Sequence, residues 1–311
     1  MEKNWTEIEI RVSEVLSEAV CNRLLEEGAN GVIIEDGDAF WDEEGVISRT
    51  EDGEAVVRSF FPSTALLDVR SALESYLRDL HDMHPDTPAA EVLVRDLPND
   101  DWAHAWRKFF KPTELAPGIV VKPTWEPYKA KEGELIIEID PGMAFGTGLH
   151  ATTRLCVQAI QELATSPEYL GTPGVAHRGL DVGTGSGILA ILMARLGVGR
   201  TVAIDNDPEA VSAAEENCRL NQVTEKVMVQ LGTVEDLDES YHLVVANIIA
   251  EVLIDIRDAL IGRVERGGYL VLSGILKEKG SDVRSHFLKG KVDFVESRNE
   301  GEWTALVFQR T

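Results

Sequence analysis

Three glycines in the segment GLDVGTGSGILAI, residues 179–191, are spaced for close contact with a small ligand. The segment is predicted to form a short apolar strand, a turn that holds Gly183, Gly185 and Gly187, and the start of a helix. A turn of this kind brings the backbone close to something small and negatively charged. The spacing alone is a weak signal, because glycine turns also allow a strand and a helix to pack tightly.

Three classes of ligand fit such a turn: a dinucleotide, a phosphate and the methyl donor S-adenosylmethionine. A P-loop requires a lysine after its last glycine, and none follows here, which argues against nucleoside triphosphate chemistry. A dinucleotide fingerprint, GxGxxG, would place its third glycine where Ile188 stands. The missing lysine therefore disfavours a P-loop, and the glycine spacing disfavours a dinucleotide motif.

An acidic residue downstream strengthens the ligand interpretation. The predicted strand TVAID ends at Asp205, 22 residues after Gly183. A carboxylate at this place can accept hydrogen bonds from both ribose hydroxyls of an adenosine group, and simple solvation of a strand end is the alternative. Asp207 is a competing acid, but Pro208 places it at the start of the next helix. The pattern indicates an adenosine-containing ligand and leaves NAD and S-adenosylmethionine both open.

The loop after the fourth strand of the same region, VVANII, contains Asn247. Ligands of open α/β sheets bind at the carboxyl ends of the strands, so this side chain is expected beside the ligand crevice. Its amide can accept a hydrogen bond from an amine and donate one to the methionine end of a cofactor. Asn is also a favoured helix N-cap, and a predicted helix follows, so a capping role is the alternative.

The segment DPGMAFGTGLHATT, residues 140–153, is predicted to be a flexible loop ahead of a helix. Thr152 or Thr153 would lie near the helix N-terminus, which favours an anionic group such as the methionine carboxylate. Phe145 would cover the cofactor or the acceptor. His150 is a conceivable base, although a lone loop histidine is more often structural or exposed. The motifs hold no His/Asp pair, so we predict no catalytic side chain.

The elements that position these residues alternate regularly from ELIIEID onward. Nearly continuous Val, Ile and Leu runs predict parallel strands that are buried on both faces. The tail KVDFVESRNEGEWTALVFQR instead predicts an antiparallel hairpin that turns around residues 299–301. A doubly wound α/β sheet closed by such a hairpin is the Rossmann-like fold of class I methyltransferases. The predicted strands are GLDV, TVAID, VMVQLG, HLVVAN and YLVLSG, and the predicted helices are HATTRLCVQAIQELAT, GILAILMARLG, PEAVSAAEENCRLN and AEVLIDIRDALIGRV.

The N-terminal part of the chain has a different pattern. Residues 1–95 alternate strand and helix signals in the order β-α-β-β-α-β, which predicts a small ferredoxin-like α+β domain. Residues 96–133 are predicted to be a proline-punctuated linker, and residues 134–311 the cofactor-binding domain. Within the linker, an aromatic stripe predicts either packing between the domains or a docking surface for a protein substrate; it consists of Trp102, Trp106, Phe109 and Phe110.

Composition limits the partners and the location of the chain. Its 311 residues are 44% hydrophobic and 27% charged, which is ordinary for a globular protein, and the net charge is −24. Such an acidic surface disfavours direct nucleic-acid binding and would attract a basic, lysine-rich protein, or it mainly maintains solubility. Cys21, Cys156 and Cys218 are widely spaced, which disfavours disulfides and a CxxC metal site. Without a signal peptide or a long apolar run, we expect a cytoplasmic monomer that does not bind membranes.

The four motifs DPGMAFGTGLHATT, DVGTGSGILAI, AIDNDPEA and VVANII together closely resemble the ribosomal protein L11 methyltransferases of bacteria, the PrmA family. The resemblance extends along the whole chain, and DWAHAWRKFFKP is similar to the linker segment of that family. The loop motif is highly specific, whereas the glycine turn and the downstream acid occur in many methyltransferases. By motif, the resemblance implies cofactor contacts from Thr153, Gly183, Asp205 and Asn247. One small departure is NII where the family commonly has NIL.

This resemblance implies S-adenosyl-L-methionine as the cofactor and a basic ribosomal protein as the substrate. It also implies methylation of lysine side chains and of the N-terminal α-amine, with the N-terminal domain recognising the substrate and swinging on the linker. The alternatives are a class I methyltransferase of another protein amine or a small molecule, an NAD-dependent dehydrogenase, and a non-catalytic ribosome-associated module.

Overall fold

The computed structural model describes residues 5–27, 29, 32–36, 40–41, 47–48, 53–62, 66–97, 110–140, 150–165 and 177–311. The chain divides into two compact units between Phe110 and Lys111. Among the described residues, no helix combines the length and the apolar character needed to cross a membrane.

The described residues of the first unit form a four-stranded antiparallel sheet, a short separate hairpin and two α-helices. Its elements are β1 (Trp5–Ser13), α1 (Ser17–Glu26), β2 (Val32–Asp36), β3 (Phe40–Trp41), β4 (Ile47–Ser48), β5 (Glu54–Pro62), α2 (Leu66–Met83) and β6 (Glu91–Leu97). The sheet has the order β2-β5-β1-β6, and β3 and β4 form a separate short hairpin. This order confirms the predicted ferredoxin-like arrangement.

Alternation along β1 explains why this unit has one apolar layer. Ile8, Ile10 and Val12 lie on one face at a spacing of two residues and are buried. The helices cover that face with apolar side chains that recur every three or four residues. The helical members of this cluster are Leu16, Val20, Leu24, Val69, Leu73, Leu77 and Leu80.

The second unit contains a small three-stranded sheet and a seven-stranded sheet. Its strands are β7 (Thr113–Ala116), β8 (Ile119–Lys122), β9 (Leu135–Glu138), β10 (Arg178–Val182), β11 (Arg200–Asp205), β12 (Val227–Leu231), β13 (Tyr241–Asn247), β14 (Val264–Leu276), β15 (Val292–Glu300) and β16 (Trp303–Arg310). Its helices are α3 (Ala151–Thr165), α4 (Ile188–Arg195), α5 (Pro208–Leu220), α6 (Ala250–Asp255), α7 (Arg257–Arg263) and α8 (Lys277–Phe287).

The larger sheet has the order β12-β11-β10-β13-β14-β16-β15. Its first five strands are parallel, and β16 runs antiparallel between β14 and β15. This arrangement confirms the predicted doubly wound sheet with its terminal hairpin. The strand order reverses between β10 and β13, and ligand crevices form at the carboxyl ends of strands at such a point.

Burial on both faces of the sheet explains the continuous apolar runs. Along β13, Leu243 and Val245 belong to one buried cluster, while Val244 and Ala246 belong to another. Successive side chains of a strand point to opposite faces, so each face of β13 is covered by its own apolar layer. These two apolar layers stabilise the central strands, and the loops at the carboxyl ends of the strands start from fixed positions.

Three parts of the second unit differ from the sequence prediction. The predicted helix AEVLIDIRDALIGRV forms two helices, α6 and α7, which are separated at Ile256. Residues 113–122 form β7 and β8 inside the segment predicted to be linker, because apolar side chains such as Ile119 and Val121 join the core. Helix α8 was not predicted, because KEKGSDVRSHF contains a glycine and has only Gly280, Val283 and Phe287 buried. The remaining extent of the linker and the roles of the two domains stay predictions.

The aromatic stripe of the linker is described only in part. Phe110 is buried, whereas Trp102, Trp106 and Phe109 lie outside the described residues. Its proposed function in packing or docking therefore stays a prediction.

The end of α8 gives a test of the core. Phe287 is fully buried and its ring stacks on Phe308 at a centroid distance of 5.5 Å, while the neighbouring Leu288 is 44% exposed. We expect Phe287→Ala to lower the free energy of unfolding of the second unit by about 3–5 kcal/mol. Leu288→Ala should change it by less than about 1 kcal/mol. Urea unfolding followed by circular dichroism measures both, and equal losses would contradict this packing.

Candidate active site

The predicted site residues lie at the carboxyl edge of the seven-stranded sheet. Gly183 directly follows β10, Asp205 ends β11 and Asn247 ends β13. Thr153 lies in the first turn of α3, buried, one residue after Thr152. The carbonyl oxygen of Thr152 accepts a hydrogen bond of 3.1 Å from the Ser273 hydroxyl of β14, the strand beside β13.

The glycine loop has a left-handed backbone conformation, which glycine adopts more readily than any other residue. Gly183, Gly185 and Gly187 have φ values of 69°, 53° and 83°. The N–H groups of Gly183 and Thr184 both donate to the carbonyl oxygen of Ile204, at 2.9 and 3.0 Å. A Cβ atom on Gly183 would lie 2.7 Å from Cγ2 of Ile248, which is closer than packed carbon atoms approach. The absence of a side chain at Gly183 therefore leaves room for the side chain of Ile248, the residue that follows Asn247.

Asp205 is fixed by the loop that it faces. One carboxylate oxygen accepts the N–H of Gly185 at 2.9 Å and the other accepts the N–H of Asp207 at 3.0 Å. Each oxygen of a carboxylate can accept a further hydrogen bond, so the group retains capacity for two ribose hydroxyls. Asp207 instead caps α5 by accepting the N–H of Glu209 at 2.9 Å, with Pro208 in the first turn. The prediction that Asp207 begins the helix is confirmed.

A second carboxylate, Asp181, was missed by the sequence analysis. It is 1% exposed near the end of β10, and one of its oxygens accepts the Thr184 hydroxyl at 2.6 Å and the Ala190 N–H at 3.1 Å. Its other oxygen is buried without a hydrogen-bond partner among the described residues. Burial raises the pKa of Asp181 to about 6, against the lowering effect of its two hydrogen bonds. An acid inside the apolar run GLDV was the available signal.

Asn247 has a buried acceptor at the same edge of the sheet. Its Oδ1 atom is buried and has no hydrogen-bond partner among the described residues. Helix α6 begins at Ala250 with Ile249 in the N-cap position, and no side chain caps it. The alternative interpretation of Asn247 as the cap of this helix is therefore wrong. A buried carbonyl oxygen without a partner is costly unless a ligand supplies a donor.

His150 is placed as a structural residue. Its Nδ1 atom lies 2.8 Å from the Thr152 hydroxyl at the start of α3, and its ring packs edge-on against Trp303 with centroids 4.9 Å apart. This geometry favours the structural interpretation of His150 over its use as a base. Phe145 and the rest of residues 141–149 lie outside the described residues, so the covering role of Phe145 stays a prediction.

Two asparagines, also missed, connect the glycine loop to the small sheet: Asn217 lies on α5 and Asn221 is the C-cap residue that follows it. Asn217 donates to the Ser186 carbonyl at 2.8 Å and accepts the Asp140 N–H at 3.1 Å. Asn221 pairs with the backbone of Glu138, accepting its N–H at 2.9 Å and donating to its carbonyl at 2.6 Å. They lie four residues apart on one helix face, which was the only sequence signal.

Together these groups fit a ligand with a ribose and a small amino-acid end. Gly183 begins the loop at the carboxyl end of β10, the Asp205 oxygens keep free acceptor capacity, and Asn247 offers an acceptor without a partner among the described residues. S-adenosylmethionine has both parts. Within the part of the chain that the structure describes, no three His, Cys, Asp or Glu side chains are grouped to hold a metal ion.

Comparison with known proteins identifies similar sequences and a similar solved structure. The family model described as Ribosomal protein L11 methyltransferase (PrmA) matches residues 4–311. The ribosomal protein L11 methyltransferases of Geobacter metallireducens and Geobacter sulfurreducens are 37% and 39% identical to it. Each comparison covers 99% of this chain and 99% of the relative. The crystal structure of a ribosomal protein L11 methylase from Lactobacillus delbrueckii subsp. bulgaricus matches with a TM-score of 0.57 at 30% identity, covering 65% of this chain and 99% of that one.

Gly183 of the glycine loop and Gly197, which lies after α4, give a matched pair of alanine variants. Gly197 has a φ of 89° and nothing within 4 Å of its Cβ position, whereas Gly183 has the contact with Ile248. Alanine at either position should cost about 1 kcal/mol of stability because of the left-handed backbone, and Gly183→Ala should cost more because its Cβ overlaps Ile248. Only Gly183→Ala should also weaken binding of S-adenosyl-L-homocysteine, by at least about tenfold, the equivalent of 1.4 kcal/mol. Calorimetric titration measures this, and equal affinities of the two variants would contradict the assignment.

Asp181 gives a pH-dependent prediction. Because its pKa is raised from the usual value to about 6, the folded state binds the proton more tightly than the unfolded chain does. The stabilisation is therefore complete below about pH 4 and is lost as the pH rises through about 6. Relative to Asp181→Asn, the wild-type chain should lose about 3 kcal/mol of unfolding free energy across this window. Urea unfolding of both proteins at several pH values checks it, and parallel pH profiles would refute a raised pKa.

Proposed function

The chain belongs to the ribosomal protein L11 methyltransferase (PrmA) family, and on that premise we propose that it methylates lysine side chains and the N-terminal α-amine of ribosomal protein L11. The single observation that carries the amine chemistry is the buried Oδ1 of Asn247 beside the glycine loop, an acceptor without a partner among the described residues. Family membership over residues 4–311 disfavours the dehydrogenase and the non-catalytic module. A methyltransferase of a different amine stays the alternative.

The methyl donor is S-adenosyl-L-methionine, which when bound supplies an electrophilic methyl group on a sulfonium sulfur. Four residues of this chain would hold it. Asp205 would accept the ribose hydroxyls with its remaining lone pairs, and Gly183 would lie against the methionine end. Thr153, in the first turn of α3, would face the methionine carboxylate, which the positive end of the helix favours. Asn247 would donate its amide N–H to the same end.

The acceptor amine must lose a proton before it can attack a methyl carbon. For a lysine of pKa about 10.4, neutralisation at pH 7 costs about 4.6 kcal/mol, and for an α-amine it costs only about 1–1.4 kcal/mol. These costs are moderate, so a strong protein base is not required and the proton leaves to water. The main contribution of the protein is then to align the amine and to remove it from water.

Asn247 is suited to this alignment. Its Oδ1 would accept an N–H of the amine, and the nitrogen lone pair would remain free to face the methyl carbon. Beside it, Ile249 is 60% exposed and Val252 is 39% exposed on the first turn of α6. These apolar side chains would contact the methylene stem of a lysine and disfavour its charged form.

Charge and fold support the choice of a protein partner. The net charge of −24 would attract a basic ribosomal protein and repel nucleic acid. The ferredoxin-like unit carries none of the four cofactor residues, so we assign it to substrate recognition. A cytoplasmic monomer that binds neither membranes nor nucleic acid directly completes the proposal.

Asn247 variants test the function. After incubation with S-adenosyl-L-methionine, mass spectrometry of ribosomal protein L11 should show methyl additions at lysines and at the N-terminus. Asn247→Ala should lower kcat/KM by about 100-fold, since oriented hydrogen-bond groups in active sites contribute on this scale. Asn247→Asp keeps the acceptor oxygen and should retain more of kcat while binding the cofactor more weakly.

Asn299→Ala, which removes an exposed amide from β15, is the matched control and should leave turnover unchanged. Methylation of a different protein or of a small amine, with L11 unmodified, would favour the alternative. If Asn247→Ala left both cofactor affinity and turnover unchanged, its proposed role would be wrong.

A further inference from the structure

Strand β14 is irregular at the point where it lies beside Asn247. Its residue Ser273 pairs with Asn247 of β13. On its other side, Leu272 pairs with Leu306 and Ile275 pairs with Thr304 of β16, so β14 has one more residue than its partner over this stretch. This is a β-bulge, and bulges beside binding sites redirect the chain or a side chain.

The bulge has a glycine that leaves room for the neighbouring loop. Gly274 has a φ of 80°, and a Cβ atom there would lie 2.5 Å from the carbonyl oxygen and 2.7 Å from the carbonyl carbon of Ile248. These are backbone atoms of the residue that follows Asn247, so no side-chain rotation relieves the overlap. The side chain of Ile248 in turn lies against Gly183 of the glycine loop. Ile248 is thus enclosed between two left-handed glycines.

The other residue of the bulge connects two parts of the site. The carbonyl oxygen of Ser273 accepts the N–H of Ile248 at 3.1 Å. Its hydroxyl, fully buried, donates to the carbonyl oxygen of Thr152 at 3.1 Å in the first turn of α3. Ser273 is therefore bonded on one side to the segment of Asn247 and on the other to the helix end that holds Thr153.

We propose that the bulge at Ser273–Gly274 is a positioning element, which sets the place of the Asn247 amide relative to the N-terminus of α3. It touches neither the cofactor nor the acceptor in this account, and it acts through the backbone of Ile248. Alignment of an amine with a methyl carbon is sensitive to such placement, because a shift of about 1 Å can cost about 100-fold in rate. This inference rests on the proposed function, since it assigns the acceptor contact to Asn247.

Gly267 supplies the matched control for a test. It lies in the same strand with a φ of 78°, but nothing is within 4 Å of its Cβ position. With saturating S-adenosyl-L-methionine and ribosomal protein L11, Gly274→Ala should lower kcat by about 100-fold. Gly267→Ala should change kcat by less than about twofold.

A double-mutant cycle separates positioning from a general loss of structure. If the bulge acts through Asn247, then adding Gly274→Ala to Asn247→Ala should lower kcat by no more than about twofold further. Wild-type kcat in Gly274→Ala, or the full loss repeated in the Asn247→Ala background, would overturn the proposal.

Hydrogen exchange provides a readout that does not depend on turnover. The Ile248 N–H is bonded to Ser273, so mass spectrometry should show faster exchange of the peptide containing it in Gly274→Ala but not in Gly267→Ala. If the wild-type chain did not methylate L11, the proposed function would fail, and unchanged exchange in Gly274→Ala would separately overturn the positioning.

Should Gly274→Ala not fold, Ser273→Ala takes its place. Loss of its hydrogen bond to Thr152 should lower kcat by about threefold to tenfold, and this loss should also disappear in the Asn247→Ala background. A Ser273→Ala variant with wild-type kcat would overturn the proposal in that case.

Discussion

The backbone of Asn247 and Ile248 can lie where it does only because two neighbouring positions have no Cβ atom. Gly183 leaves room for the side chain of Ile248 and Gly274 leaves room for its carbonyl group. Gly183 lies in the loop after β10 and Gly274 lies in the bulge of β14. Three parts of the chain therefore meet at Ile248. This close approach sets the packing at Gly183, the orientation of the Asn247 backbone and the connection through Ser273 to α3.

Several groups at this edge of the sheet are kept in states that cost free energy. Among the described residues, one carboxylate oxygen of the buried Asp181 is unpaired and the Oδ1 atom of Asn247 has no donor. Such features persist where the surroundings hold them in place, and they concentrate at functional sites. Here the surroundings are two apolar layers that cover both faces of the central strands. The stable part of the fold thus offsets the local cost of a site that is open to a ligand.

The sheet and much of the site could be predicted because their signals are local. Continuous apolar runs identify strands buried on both faces, and residues that end parallel strands meet at one edge, so Asp205 and Asn247 could be predicted to lie there. Helix α8 was missed because its buried face is narrow and includes Gly280. The bulge at Ser273–Gly274 was missed because it arises from pairing with two different strands, and no local pattern encodes that. The partner of a buried group such as Asp181 is likewise known only once distant residues are in place.

The central claim is that the carboxyl ends of β10, β11 and β13 hold the methyl donor and present Asn247 to the amine. The most direct test is a crystal structure of the full chain with bound S-adenosyl-L-homocysteine. The account predicts ribose hydroxyls within hydrogen-bond distance of Asp205, the amino-acid end of the ligand against Gly183, and the Oδ1 atom of Asn247 facing the position of the transferred methyl group. A ribose bound away from Asp205, or a ligand seated away from the glycine loop, would contradict it.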